Sequence, residues 1–195
     1  MVYDQSLAKE GKSPQTCAFY AVLGAIVDRF KLETPQEKLE EYIDASKRRF
    51  ATVPWIMQHL KEHPFEGYRC THTDIFFNAK LPHGRMDAPK AMQFKNLARF
   101  GEKLVVLAVK THKTDKKKLT IDLNKDHFLV SYPGLPSVMD HAVYLRGWKN
   151  GKTGPTYTLV NSWGTDFGNE GEFYIVPDCL YGEITAIYTF HVEKI

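Results

Sequence analysis

The chain changes period once, near residue 101, and that change limits its fold more than any other feature. Before it, apolar residues recur at helical spacing; after it, short β-branched runs are separated by Gly, Pro and Asn turns. Thr16–Val27 is apolar on almost every side and predicts a buried helix, with Ser13 or Thr16 as cap and Cys17 in the first turn. Thr34-Pro35-Gln36-Glu37 has the pattern of a capping box and predicts a helix over 35–46. Pro54 starts another, with Trp55, Ile56 and Leu60 turned inward. Tyr68–Phe77 reads as an irregular connection. Ala88–Phe100 reads as a helix packed through Ala91, Met92, Leu97 and Ala98 and ended by Gly101. Strands are expected at Leu104–Val109, Phe128–Tyr132, Ala142–Trp148, Tyr157–Val160, Gly171–Val176 and Ile184–Val192. Helices first and strands second predict an α+β fold.

With 195 residues the chain is long enough to bury a good core, in one domain or two small lobes. A net charge of +3 is too slight for a nucleic-acid argument, and Lys113 with Lys116–Lys118 reads as a solvated loop. No apolar run is long enough to span a bilayer. Met1-Val2-Tyr3-Asp4 lacks the basic start and apolar run of a signal peptide, so the chain as it stands reads as cytoplasmic. Cys17, Cys70 and Cys179 are isolated from one another and form no Cys-x-x-Cys, so no metal site or cofactor is expected. Cys70 and Cys179 are possible partners, although buried free thiols are the expected state. His59 and His63 read as a solvated helix face, and His127 and His191 as packed or surface histidines.

Chemistry concentrates in three separated places. Cys17 at a helix start has unpaired N–H groups and the positive end of the dipole nearby, which favour a thiolate. Alone, such a cysteine is more often a small core residue. Asp140-His141-Ala142-Val143 offers an imidazole where an apolar strand begins, and Asn161-Ser162-Trp163-Gly164 follows the next strand. An acid/base histidine needs a fixed ring, which a carboxamide oxygen provides, and an indole keeps water from that bond. Asp140 either faces a cleft or is a turn carboxylate, and Trp148 is assigned to the core.

At these residues the chain resembles the papain family of cysteine peptidases, as a divergent member. Three stretches carry the likeness: Val2-Tyr3-Asp4-Gln5 with Cys17-Ala18-Phe19, against the family's Val-x-x-Gln and Cys-Trp-Ala-Phe; Asp140–Val143 leading to Gly147-Trp148; and Tyr157–Thr165 followed by Phe167–Gly171 and Phe173–Ile175. The resemblance implies one papain-like domain over 1–195, with a helical lobe over about 6–100, an antiparallel β lobe over about 101–195, and the active site in the cleft between. Tyr3–Gln5 and the last strand are expected to cross between lobes. It implies Cys17 as nucleophile, His141 as acid/base, Asn161 as orienter, Trp163 as cover and Gln5 as oxyanion donor, with Gln15 the alternative. Polypeptide substrates and protein inhibitors of cysteine peptidases are the partners implied, for a monomer with no nucleic acid or membrane. Relatives of this kind work in a vacuole, a lysosome or outside the cell, the location implied if the N-terminus is incomplete.

The departures are specific. Ala18 follows Cys17 where the family has Trp, and Pro14 stands where it has a cysteine. Ala51-Thr52-Val53 lacks the paired glycines that let a substrate backbone approach. These changes support a competing expectation, a catalytically weak or inactive papain-like binding protein.

Overall fold

The computed structural model describes residues 3, 16–48, 51–78, 86–101, 103–112, 137–151, 154–162, 164–165, 170–175, 177, 180–181 and 184–195. Within them four helices and one antiparallel sheet form the α+β architecture: α1 (Cys17–Phe30), α2 (Gln36–Ala45), α3 (Val53–Glu62), β1 (Tyr68–Asn78), α4 (Ala88–Phe100), β2 (Leu104–His112), β3 (Ser137–Gly151), β4 (Gly154–Val160), β5 (Glu172–Ile175) and β6 (Ile184–Lys194). The sheet order is β1-β6-β2-β3-β4-β5. No helix here is long and apolar enough to cross a membrane. The expected strand at Phe128–Tyr132 lies outside the described residues.

Side chains on successive strand residues point to opposite faces, and the sheet uses both. One face carries Val106, Ala142, Tyr144, Val160 and Phe190, and packs against α1, α2 and α3. The other carries Val105, Leu107, Val143, Leu159 and Ile187, and packs against α4 through Phe94 and Ala98. Both cores are dense in aromatic and β-branched residues, the composition that a pleated, covered surface favours.

Several local expectations change. Tyr68–Phe77 is not an irregular connection but β1, an edge strand paired with β6 through two register shifts. The Thr34 capping box does not form: Pro35 is the N-cap, and Thr34 is buried with its carbonyl accepting from the Tyr3 hydroxyl at 2.9 Å. Thr16 holds the N-cap position of α1, yet its hydroxyl makes no capping bond. Met92 is 58% exposed, and Phe94 is the buried anchor of α4 instead. Trp55 is only partly buried, stacked on His59 at 4.8 Å under the Arg48 guanidinium. Cys70 is buried as a free thiol, and Cys179 lies outside the described residues. Helix α4 runs as expected, from Asp87, whose carboxylate accepts from the Lys90 N–H at 2.8 Å, to Gly101 in the left-handed region.

Candidate active site

Helix α1 opens with Cys17, in the turn whose first N–H groups have no partner within the helix. The backbone N–H groups of Ala142, Ala18 and Cys17 itself all reach the sulfur and favour the thiolate. Burial outweighs them and pushes the thiol above its ordinary value. The Ala142 contact matters most for geometry, because it ties the start of α1 to the residue that follows His141. Cys17 is a free, partly buried thiol.

His141 lies near the start of β3, opposite Val109 of β2, and is 3% exposed. Its Nε2 is 2.7 Å from Asn161 Oδ1. The Ser162 backbone N–H donates to the same oxygen, also at 2.7 Å. An oxygen that already accepts an N–H is an acceptor, so Nε2 must carry the proton. In the neutral ring Nδ1 is then the basic nitrogen. Asn161 is held in turn by its backbone N–H, which donates to the Gly171 carbonyl at 3.0 Å. Gly171 sits at a positive φ of 81°, which a side chain there would resist. Burial lowers the His141 pKa, and the Asn161 bond works against that shift.

Of the residues expected at the site, His141 and Asn161 are hydrogen-bonded to each other, and Cys17 lies against the backbone N–H of Ala142, the residue after His141. Gln5, Gln15, Trp163 and His127 lie outside the described residues. Asp140 pairs with Lys110 through the backbone ladder. Trp148 packs edge-on against Tyr157 at 4.8 Å, on the α4 side of the sheet. Thr52, in the stretch that lacks the paired glycines, caps α3 by accepting from the Trp55 N–H. Among the described residues no cluster of three or more His, Cys, Asp or Glu side chains is arranged to hold a metal ion.

Sequence reading missed two features near the site. A narrow cavity behind Asn161 is lined by Tyr3, Tyr20, Ala142, Tyr144 and Ser162. A charged cluster centred on Arg146 lies further along β3. Neither has a local motif, because each is assembled from strands and helices far apart in the chain.

Residues 120–186 match the family model for papain family cysteine proteases. Over 40 residues the chain is 45% identical to mouse (Mus musculus) cathepsin F, a stretch that is 20% of this chain and 9% of that protein. The whole chain superposes on 72% of the solved structure of proCathepsin B S9 from Trypanosoma congolense, with a TM-score of 0.56 and 13% identity, a likeness of fold. Fold, match and the anchored His141–Asn161 pair point the same way: the chain has a papain-like fold, and residues 120–186 are similar to papain family cysteine proteases.

Proposed function

We propose that the chain is a peptide-bond hydrolase that works through Cys17 and His141. What supports this reading is the doubly anchored Asn161, which holds His141 through Nε2, together with the Ala142 N–H, next in sequence to His141, that reaches Cys17. Nδ1 takes the thiol proton, and the sulfur attacks the scissile carbonyl to form a C–S bond. The tetrahedral oxyanion collapses, the C–N bond breaks, and Nδ1–H protonates the leaving amine. Water then gives a proton to Nδ1, attacks the thioester and releases the thiolate. The Cys17 N–H and the Gln5 amide, or that of Gln15, are the proposed oxyanion donors. Each such donor is worth about 2.7–4 kcal/mol. Trp163 is proposed to keep water from the His141–Asn161 bond. Polypeptides are the substrates, and protein inhibitors of cysteine peptidases the natural competitors.

The test pairs turnover with labelling. Cys17→Ser should lower peptide hydrolysis by roughly 10⁴-fold or more while leaving the fold intact. A thiol-reactive epoxide should label Cys17 at neutral pH, and His141→Ala should abolish that labelling. Unchanged hydrolysis by Cys17→Ser overturns the assignment.

A second reading, a papain-like binding protein with little or no activity, has its own support. Burial pushes the Cys17 thiol up and the His141 imidazole down, both toward the uncharged pair. Aligned without a gap, the family's Cys-Trp-Ala-Phe falls on Thr16-Cys17-Ala18-Phe19, which puts a hydroxyl where the nucleophile belongs. The Thr16 hydroxyl is buried and has no hydrogen-bond partner among the described residues. On this reading neither epoxide labelling nor hydrolysis occurs.

A further inference from the structure

The helix that carries Cys17 and the strand that carries His141 meet a second time, at their far ends. Asp28, near the end of α1, accepts from Arg146 Nε at 2.9 Å. Arg146 Nη1 donates to Glu172 of β5, and Nη2 donates to the Tyr144 hydroxyl at 3.1 Å. The second oxygen of Glu172 accepts from the Tyr174 hydroxyl at 2.8 Å, and that of Asp28 lies 3.4 Å from Lys31 Nζ. Every nitrogen of the guanidinium therefore has its own partner. The three charged side chains are mostly buried, at 27%, 15% and 20% exposure for Arg146, Asp28 and Glu172.

Three details point to position rather than to stability alone. The rise from Cys17 to Asp28 is roughly 16 Å along a helix, and that from His141 to Arg146 is roughly 17 Å along a strand, so the two contacts are in step. Midway, Gly24 lets the Tyr144 ring approach, with Cε1 only 3.1 Å from where a Cβ would stand. Finally, β3 has a bulge at Arg146: Leu145 pairs with Leu159 and Gly147 with Thr158, leaving Arg146 unmatched. Before the bulge Ala142 and Tyr144 face α1; beyond it Trp148 faces the α4 side. A bulge re-aims side chains in this way, and here it lets Arg146 join the α1 face without carrying Trp148 with it.

We propose that Asp28, Arg146 and Glu172 form an ionic clamp that fixes how far α1 slides along β3, and so sets the separation of Cys17 from His141. Arg146 is the positioning residue, and its catalytic consequence rests on the peptidase reading above. A buried ion cluster is weak evidence for stability, because desolvation offsets the attraction. Geometry is what it supplies. A displacement of about 1 Å at a reacting pair costs on the order of 100-fold in rate.

The experiment measures how fast a neutral aromatic disulfide modifies Cys17 in the full chain, as a function of pH, with sites assigned by peptide mass. Asp28→Asn and Arg146→Ala should change the Cys17 rate by about tenfold or more and move its pH midpoint. Arg146→Lys, which keeps the charge but not all three contacts, should fall between the parent and Arg146→Ala, and the buried Cys70 should react as in the parent. Unchanged Cys17 kinetics in the variants overturn the clamp, as does a parallel change at Cys70, which signals general loosening. If Arg146→Ala fails to fold, Asp28→Asn has the same shape and carries the test. Failure of the peptidase reading is seen separately: the parent then hydrolyses nothing and resists the epoxide. The disulfide comparison keeps its meaning, since such a reagent reacts with any thiolate.

Discussion

The two halves of the site are built to different standards. On the sheet, His141 and Asn161 are locked together by a shared oxygen, a backbone donor and a glycine in the left-handed region. At the helix, Cys17 has backbone N–H groups around it but a start motif that departs from the family, and its cap residue makes no capping bond. The proposed base and its orienter form a unit that needs only two neighbouring strands. The proposed nucleophile depends instead on where one helix begins and how far it slides. The half fixed by ladder pairing keeps its His141–Asn161 bond; the half fixed by helix placement is one place where the sequence departs from the papain-family motif.

The sharpest way to break this comparison is to exchange the two candidate positions at the helix start. A threonine hydroxyl is a weak nucleophile without a strong base beside it, whereas a thiol is not. In a Cys17→Ala background, Thr16→Cys moves the sulfur back by one residue. If Cys17 is in place, the parent hydrolyses peptides and the double variant is silent, a difference of several orders of magnitude. The reverse pattern assigns the position to residue 16 and makes the natural chain a binding protein. Turnover of a fluorogenic peptide, with epoxide labelling mapped by mass, separates the two.

How much was legible in the sequence follows from the same contrast. The α4 boundaries could be read because Asp87 with Pro89 and Gly101 are punctuation whose physics is local. The His141 and Asn161 strands could be read because β-branched runs alternate there and both faces are covered. β1 could not. As an edge strand with two register shifts, it has a broken burial pattern and carries Arg69, His72 and Asp74, so no alternation survives to be read. Met92 and Phe94 were misread for a related reason: α4 buries a narrow stripe, and sequence spacing does not say which edge of a stripe faces inward. Arg146 gave no signal at all, because its partners come from α1 and β5 and its aim depends on a bulge.

Asn161→Ala probes the better-built half. It removes the acceptor shared by His141 Nε2 and the Ser162 N–H and leaves both donors buried. Leaving a buried donor unsatisfied costs about 1–3 kcal/mol. Urea unfolding should show a loss of that size, and the ring, no longer oriented, should react poorly with Cys17. A loss indistinguishable from zero means that water replaces the carboxamide and the sheet half is less rigid than its geometry indicates.

The titration of the same histidine gives a smaller effect. Burial lowers the His141 pKa, and burial with the nearby His63 charge lowers that of His59. The unfolded chain takes up these protons near the ordinary histidine value of about 6.5, while the folded chain resists them until lower pH. Below that value the unfolded state binds more protons, so stability is fully present above about pH 6.5 and falls as pH drops. Thermal unfolding between about pH 7.5 and pH 5 measures the slope, and His141→Gln should flatten it in part. A slope of the opposite sign means that imidazolium is favoured in the folded site, as an ion pair with the Cys17 thiolate would require.

The smallest effect tests the join between the halves. Gly24→Ala adds a methyl group that meets Tyr144 Cε1 at 3.1 Å. In a helix this change is worth about 1 kcal/mol in favour of alanine, against about 1–3 kcal/mol for an overfilled contact. The sign depends on whether the ring can yield. Arg146 holds the Tyr144 hydroxyl, and Gly24 sits in the buried middle of α1, so the ring is pinned at its far end. A net destabilisation of about 1 kcal/mol is expected in the parent. In an Arg146→Lys background the ring is freer and the same substitution should cost less. A double-mutant cycle on urea midpoints measures that coupling, and strict additivity would mean that the clamp and the helix contact act independently.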